Sequence, residues 1–373
     1  MAVRIGVPRE TDAREQRVAL VPDGVRALVR AGATVTVERG AGARAFYADA
    51  LYEAAGATLG DGTATVYGDT DVVLKVQRPT PDEIVRLRRG TVLIALLAPA
   101  ANADAVQALS TAGVIALALE LVPRISRAQS MDVLSSQSTV AGYKAVLIAA
   151  NALPRLMPMM TTAGGSLAPA KAFVLGAGVA GLQAIATSRR LGAVASAFDV
   201  RAAAREQVLS LGATFVAAES VAADAETAGG YAREQSEEQQ RRIAAAIGGH
   251  IAEMDIVIST AQIPGRPAPR LITGEMVRRM RPGSVIVDLA AEGGGNCEVT
   301  RPGETVDVDG VRVIGPLNVP SMVPFHASQM FSKNVVTLLQ HLIKDGALTL
   351  DLTDEITKAM VVTASDQRSA ISG

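Results

Sequence analysis

The chain has no tryptophan, a single cysteine and only 3% aromatic residues among its 373. Stacking of bases on aromatic side chains is therefore not a theme of this sequence, and no nucleic acid is expected as a partner. Cys297 alone can form neither an intrachain disulfide nor a cysteine-cluster metal site, and no metal centre is expected. Such cysteine use fits a reducing cytoplasm. The formal net charge is −1, so no field of one sign draws the chain to an anionic surface. Apolar runs over 91–101 and 113–122 are about half the length of a membrane span. The start, Met1-Ala-Val-Arg-Ile-Gly6, reads directly as a strand and lacks a signal-peptide core. The expectation is a soluble cytoplasmic protein.

Hydrophobic residues make up 49% of the chain and charged residues 20%, ample for packed cores in two domains. Short apolar strands alternate with helical stretches from the start. Strands are predicted at Val3–Val7, Thr34–Glu38, Asp71–Val76, Val92–Leu97 and Val114–Leu119, with helices at Pro22–Ala31 and Pro81–Arg89. A second series predicts strands at Ala172–Leu175, Val194–Phe198, Thr214–Ala217, Ile256–Thr260, Val285–Leu289 and Val311–Ile314. Helices are expected at Ala141–Leu156, Glu234–Arg242 and Phe331–Leu342, and a flexible loop within 219–249. The fold class is α/β, with two Rossmann-like doubly wound parallel-sheet domains separated by a cleft. The N-terminal domain is expected to span 1–136 and to be completed by about 322–373, with a nucleotide-binding domain over 137–321.

The second series opens on Lys171-Ala-Phe-Val-Leu-Gly176-Ala-Gly178-Val-Ala-Gly181, and its next apolar run ends at Asp199. Strand, glycine turn, helix, strand and acid in that order form the dinucleotide fingerprint. Gly176 permits the tight turn, Gly178 lets the backbone approach a pyrophosphate, and Gly181 lets helix and strand pack closely. The helix N-terminus then faces the phosphates. Asp199 would accept from the ribose hydroxyls of NAD and repel the 2′-phosphate of NADP, an inference that nearby Arg201 weakens. Gln262 follows the Ile256–Thr260 strand, where nucleotide should lie, and is a candidate for an added cofactor hydrogen bond.

No obvious general base accompanies this fingerprint. His250, His326 and His341 stand in no catalytic motif, and His326 is placed in a loop. Lys75 ends a strand, where α/β sheets place ligands. The run Arg124-Ile-Ser-Arg-Ala-Gln129-Ser-Met-Asp132-Val-Leu-Ser135-Ser-Gln-Ser138 is rich in hydrogen-bonding side chains and reads as a polar loop. It could fix a carboxamide such as that of nicotinamide, or serve only as a hydrogen-bonded connection.

That polar run, with Ala141-Gly-Tyr143 after it, closely resembles the NAD(H)-binding alpha subunit of proton-translocating nicotinamide nucleotide transhydrogenases. So do Gly176-Ala177-Gly178-Val179-Ala180-Gly181-Leu-Gln183, Asp199-Val200-Arg201-Ala202, Thr227-Ala-Gly-Gly-Tyr231, Asp288-Leu-Ala290 and Gly294-Gly-Asn-Cys297. The resemblance implies direct hydride transfer between NAD(H) held here and NADP(H) held by a partner beta subunit. Membrane-spanning subunits would couple that transfer to proton translocation. It implies that Arg124, Gln129, Asp132 and Ser135 hold the nicotinamide end, and that Asp199, Val200 and Arg201 lie at the adenosine ribose. Tyr231 would sit on a mobile loop, and Thr260, Ala261 and Gln262 would line the cofactor. It further implies a homodimer, peripheral on the inner face of the cell membrane. A chain ending at Gly373 implies a separately encoded subunit. Hydride passing from ring to ring releases no substrate proton, so a site without a general base suits it.

Alanine dehydrogenase is the nearest rival. Arg17 and Lys75 resemble its substrate-carboxylate ligands, but its catalytic histidine is missing from the Val92–Pro99 run. A nucleotide-sensing regulatory protein is the non-enzymatic alternative.

Overall fold

The computed structural model describes residues 2–216, 237–262 and 266–363. They divide into two compact units, one from the residues up to Gln137 and from Pro320 on, the other from Ser138 to Val319.

The first unit is built on six parallel strands: β1 (Arg4–Val7), β2 (Thr34–Glu38), β3 (Thr58–Gly60), β4 (Val72–Leu74), β5 (Val92–Ala95) and β6 (Ile115–Ala118). Their order is β3-β2-β1-β4-β5-β6, the doubly wound arrangement. β4, β5 and β6 are buried along their whole length. Continuous apolar runs of this kind suit a parallel sheet covered on both faces. Alternate side chains feed two cores. Val72, Leu74, Ile94 and Leu117 face one, and Val73, Leu93, Ala95 and Ala116 face the other. The Pro324–Leu342 helix contributes Phe331, Val335, Leu338 and Leu339 to the first of these cores. Val362 N–H then donates to the Ala116 carbonyl, so the later chain borders β6.

The second unit carries an exposed hairpin, β7 (Met160–Thr162) and β8 (Gly165–Leu167), and a seven-stranded sheet. That sheet comprises β9 (Lys171–Leu175), β10 (Val194–Phe198), β11 (Thr214–Phe215), β12 (Ile256–Ser259), β13 (Val285–Asp288), β14 (Thr305–Val308) and β15 (Val311–Ile314). The order is β11-β10-β9-β12-β13-β15-β14, with β14 antiparallel at the edge. Six strands were expected here; β14 is the addition. It folds back on β15 through Asp309 and Gly310, both at positive φ, the dipeptide favoured in two-residue hairpins.

Several helix boundaries differ from expectation. The Pro81 helix stops at Ile84 and is closed by a capping box between Thr80 and Glu83. The helix expected at 141–156 runs from Val133 to Ala152. The charged helix expected from Glu234 is described from Glu237 and continues to Ile251. The last long helix starts at Pro324, so His326 lies in its first turn and not in a loop. Among the described residues no helix is long and apolar enough to cross a membrane.

Candidate functional site

In the second unit, β9 and β12 are the neighbours at which the strand order reverses, and ligands of open α/β sheets bind at the C-terminal ends of such a pair. The glycine turn leaves β9 there. Gly176 has φ +92°, a left-handed conformation that favours glycine. A Cβ on Gly176 would lie 2.8 Å from Thr260 Oγ1, and one on Gly181 would lie 1.8 Å from the Gly176 carbonyl oxygen. These two glycines are therefore demanded by packing. Gly178 differs, because the nearest atom to a Cβ there is Arg201 Nη2, at 4.0 Å. Its outer side is open. Gly178 also caps the Val179–Arg190 helix without a side chain, so no side-chain oxygen satisfies the first-turn N–H groups. An open concavity over such a helix start is an anion site in form.

Supports converge on this turn. Thr260 Oγ1 lies 3.0 Å from the Gly176 carbonyl, and Thr260 N–H donates to the Leu175 carbonyl at 2.8 Å. A Cβ on Gly142 would lie 2.0 Å from the Ala180 carbonyl oxygen, so glycine lets the Val133–Ala152 helix rest on the first turn of the next. The sequence signal was a glycine inside a helical pattern. Asn296 is fully buried and braces the segment after β12. Its Oδ1 accepts from Ala261 N–H, and its Nδ2 donates to the carbonyls of Ala261 and Pro269. Gln262 Nε2 donates to the Leu289 carbonyl at 3.1 Å, which gives that residue an intramolecular role.

Asp288, fully buried, accepts from Ser259 Oγ, Thr300 Oγ1 and the N–H groups of Ala290 and Cys297. Burial pushes the Cys297 thiol beside it up to about 11. A thiol reagent at neutral pH is expected to label the native chain at least ~100-fold more slowly than the unfolded chain. Equal rates, followed by absorbance, would show that the thiol is exposed by local opening.

Asp199, at the end of β10, is buried. Its Oδ2 accepts from Ala177 N–H at 2.7 Å, which ties the acid to the glycine turn. Arg201 grips both of its oxygens, with Nε to Oδ1 at 2.9 Å and Nη2 to Oδ2 at 2.8 Å. Val200, half-buried, packs on the core behind. Gly176, Ala177, Gly178, Val179, Ala180, Gly181, Asp199, Arg201, Thr260 and Ala261 thus surround one strand-end region of one sheet. Tyr231 lies outside the described residues.

The polar run belongs to the first unit. It is not an irregular loop: Ser126–Met131 forms a 3-10 helix, and the following helix starts at Val133. Asp132 joins the two. Its Oδ1 accepts from Ser135 N–H at 2.9 Å and its Oδ2 from Ser135 Oγ at 2.6 Å, the geometry of an N-cap. Two of the four residues assigned to this region are therefore in direct contact. Arg124 and Gln129 are exposed on the same run. Asn334 Nδ2 donates to the Ser130 carbonyl, and Arg127 pairs with Asp354 at 2.6 Å, so later elements of the chain hold the 3-10 helix.

Beneath lies a buried ionic network. Arg17 meets Glu15 through Nε at 2.8 Å and Nη2 at 2.7 Å, and donates from Nη1 to Gln137 Oε1. Lys75 lies 2.9 Å from Glu83 and 3.4 Å from Glu10. Both cations thus have carboxylate partners inside the unit. Burial opposes the charge on Glu15, but Arg17 and Gln77 outweigh it and hold the carboxyl at about 2. Asp354 is likewise held at about 2, its partial burial outweighed by Arg127, Thr357 N–H and His341. Glu10 is pushed up by burial and works in the opposite sense. Carboxyls depressed in the fold stabilise it fully above their unfolded values, roughly 4, and that support is lost as pH falls towards 2. The melting temperature, followed by circular dichroism, is expected to hold from pH 7 to 5 and to drop by about 5 °C or more by pH 3. A flat profile to pH 3 would refute the assignment.

After β5 the turn carries Leu97 and Ala98, with Ala98 at φ +45°. Leu97 N–H donates to Glu120 at 2.9 Å, and Ala98 N–H also bonds Glu120. This carboxylate, missed in the sequence, occupies the turn where a dehydrogenase histidine was sought. The other histidines are structural: His250 contacts Ser196 Oγ at 2.8 Å and Phe173 edge-on, and His341 contacts Asp354. His326 meets the Phe325 ring edge-on.

Comparison with known proteins follows these two regions closely. Residues 6–141 match the family model "Alanine dehydrogenase/PNT, N-terminal domain", and residues 145–369 match "Alanine dehydrogenase/PNT, C-terminal domain". The chain is 48% identical to an NAD(P) transhydrogenase subunit alpha chain of Rhodospirillum rubrum over 369 residues, 97% of this chain and 96% of that protein. It is similar to the structure of transhydrogenase from Sinorhizobium meliloti, with TM-score 0.89 and 49% identity, covering 96% of this chain and 98% of that one. Alanine dehydrogenase of Bacillus subtilis is more distant, at 34% identity over 92% of this chain and 86% of that protein.

Proposed function

Because this chain belongs to the alanine dehydrogenase/PNT family, on the side of the NAD(P) transhydrogenase alpha subunits, we propose that it binds NAD(H) and exchanges hydride with NADP(H) held by a partner beta subunit. Membrane-spanning subunits couple the exchange to proton translocation and place this chain on the inner face of the cell membrane, as a homodimer.

The observation that carries the reading is the glycine turn. Gly178 is open outwards above a helix start without a side-chain cap, and a carboxylate stands at the next strand end. A dinucleotide fits these groups: pyrophosphate on the N–H groups after Gly178, ribose hydroxyls at Asp199. Val200, Arg201, Thr260, Ala261, Gln262 and Tyr231 complete the cofactor set. Bound NAD(H) supplies the hydride donor or acceptor carbon. Arg124, Gln129, Asp132 and Ser135 orient the nicotinamide carboxamide and exclude water. None of them needs to take a proton, and Asp132 is already engaged in fixing Ser135. Catalysis on this reading is positioning. The Leu97–Ala98 turn held by Glu120 offers no imidazole for oxidising an amino acid.

The test mixes this chain, loaded with an NAD⁺ analogue whose reduced form absorbs elsewhere, with an NADP(H)-binding partner carrying NADPH in a stopped-flow instrument. Rapid reduction of the analogue is expected. Docking of the partner and tight NADH binding without any transfer would overturn the reading, and turnover of pyruvate with ammonia would replace it.

A further inference from the structure

Asp199 has no acceptor position to spare. Oδ1 accepts from the Arg201 backbone N–H at 2.8 Å and from Arg201 Nε at 2.9 Å. Oδ2 accepts from Ala177 N–H at 2.7 Å and from Arg201 Nη2 at 2.8 Å. A carboxylate offers about four lone-pair sites, and four donors fill them. The side chains are 6% and 19% exposed, so the pair is well shielded from water. Two of the donors are backbone groups fixed by the fold. The other two sit on a side chain that can rotate away. A ribose diol can therefore engage Asp199 only by displacing the guanidinium. That guanidinium also overhangs the turn, since its Nη2 is the nearest atom to a Cβ built on Gly178.

We propose that Arg201 sets the nucleotide preference of this site, by filling the ribose-recognising carboxylate of the free chain and by standing next to the ribose once displaced. The proposal rests on the NAD(H)-binding reading above. Asp199 alone would repel a 2′-phosphate, but Asp199 and Arg201 together carry no net charge. A displaced guanidinium is moreover a forked donor suited to phosphate oxygens. The acid therefore discriminates against NADPH less than its position after β10 implies, and Arg201 is the cause.

Fluorescence titration of the full chain with NADH and with NADPH tests this. Arg201→Met is expected to raise the ratio of the NADPH to the NADH dissociation constant by about tenfold or more, because Asp199 is left with an unopposed charge. Arg201→Lys, which keeps the charge, should hold the ratio within about threefold of the parent. Asp199→Asn should lower it, since Arg201 then loses its internal anion. Arg201→Gln removes the charge but keeps a donor for Asp199, and should give the same rise if the Met variant folds poorly. A bracing role alone would weaken both nucleotides together; an unchanged ratio in both neutral variants overturns the proposal. Failure of the parent chain to bind NADH would instead sink the NAD(H) reading itself.

Discussion

Gly181→Ala is expected to abolish measurable NADH binding. The added methyl would lie 1.8 Å from the carbonyl oxygen of Gly176, about half an ordinary contact between heavy atoms. Both atoms belong to backbone or are bonded directly to it, so no rotamer change relieves the clash. The Val179–Arg190 helix must move away from the turn, and its first N–H groups move with it. Those N–H groups form the proposed pyrophosphate cradle, so affinity should fall by at least ~100-fold, about 2.7 kcal/mol. Overpacking of this kind typically costs a further 1–3 kcal/mol or so of stability. Calorimetric titration measures the first and thermal melting the second. Binding within threefold of the parent would show that the turn is not where phosphate is held.

Asp132→Asn and Arg124→Ala should separate chemistry from binding. Asparagine is as good an N-cap as aspartate, so the helix start at Val133 keeps its support and only the charge is lost. Asp132→Ala, by contrast, removes the acceptor for Ser135 N–H and costs about 1 kcal/mol of stability as well. Arg124 is exposed, and truncating it leaves no cavity. If these residues hold the reacting ring in line, single-turnover hydride transfer should slow by about 100-fold while the NADH dissociation constant changes by a few-fold at most. Equal losses in rate and affinity would reduce this region to a binding surface.

The parts of the fold legible in the sequence are those where one physical cause acts alone. Buried parallel strands such as Val92–Ala95 and Val285–Asp288 must be apolar throughout, and they read so. The glycine turn is legible because no other residue fits at Gly176 and Gly181. Strand β3 is three residues long and β14 is a half-exposed edge, so neither shows an apolar run. The start of the Val133 helix is hidden by Ser135, Ser136, Ser138 and Thr139, whose side chains compete for backbone groups. Asp132, three residues before Ser135, was the cap signal that outweighs them. Pro324 reads as a break but sits in the first turn of its helix, where proline is tolerated. The partnership of Arg201 with Asp199 was visible as proximity, but not its fork geometry. Asn296 and Glu120 were not legible at all, because their partners are backbone groups distant in sequence.

The sealed position of Cys297 has a practical consequence for spectroscopy. The natural chain is already a blank for thiol labelling, with no cysteine that needs removing before one is added. A cysteine placed at Val85, 81% exposed in the first unit, and another at Leu209, 49% exposed in the second, would accept a donor and an acceptor dye in an otherwise native background. Energy transfer between them would follow the separation of the two units in real time, through nucleotide arrival, partner docking and each turnover.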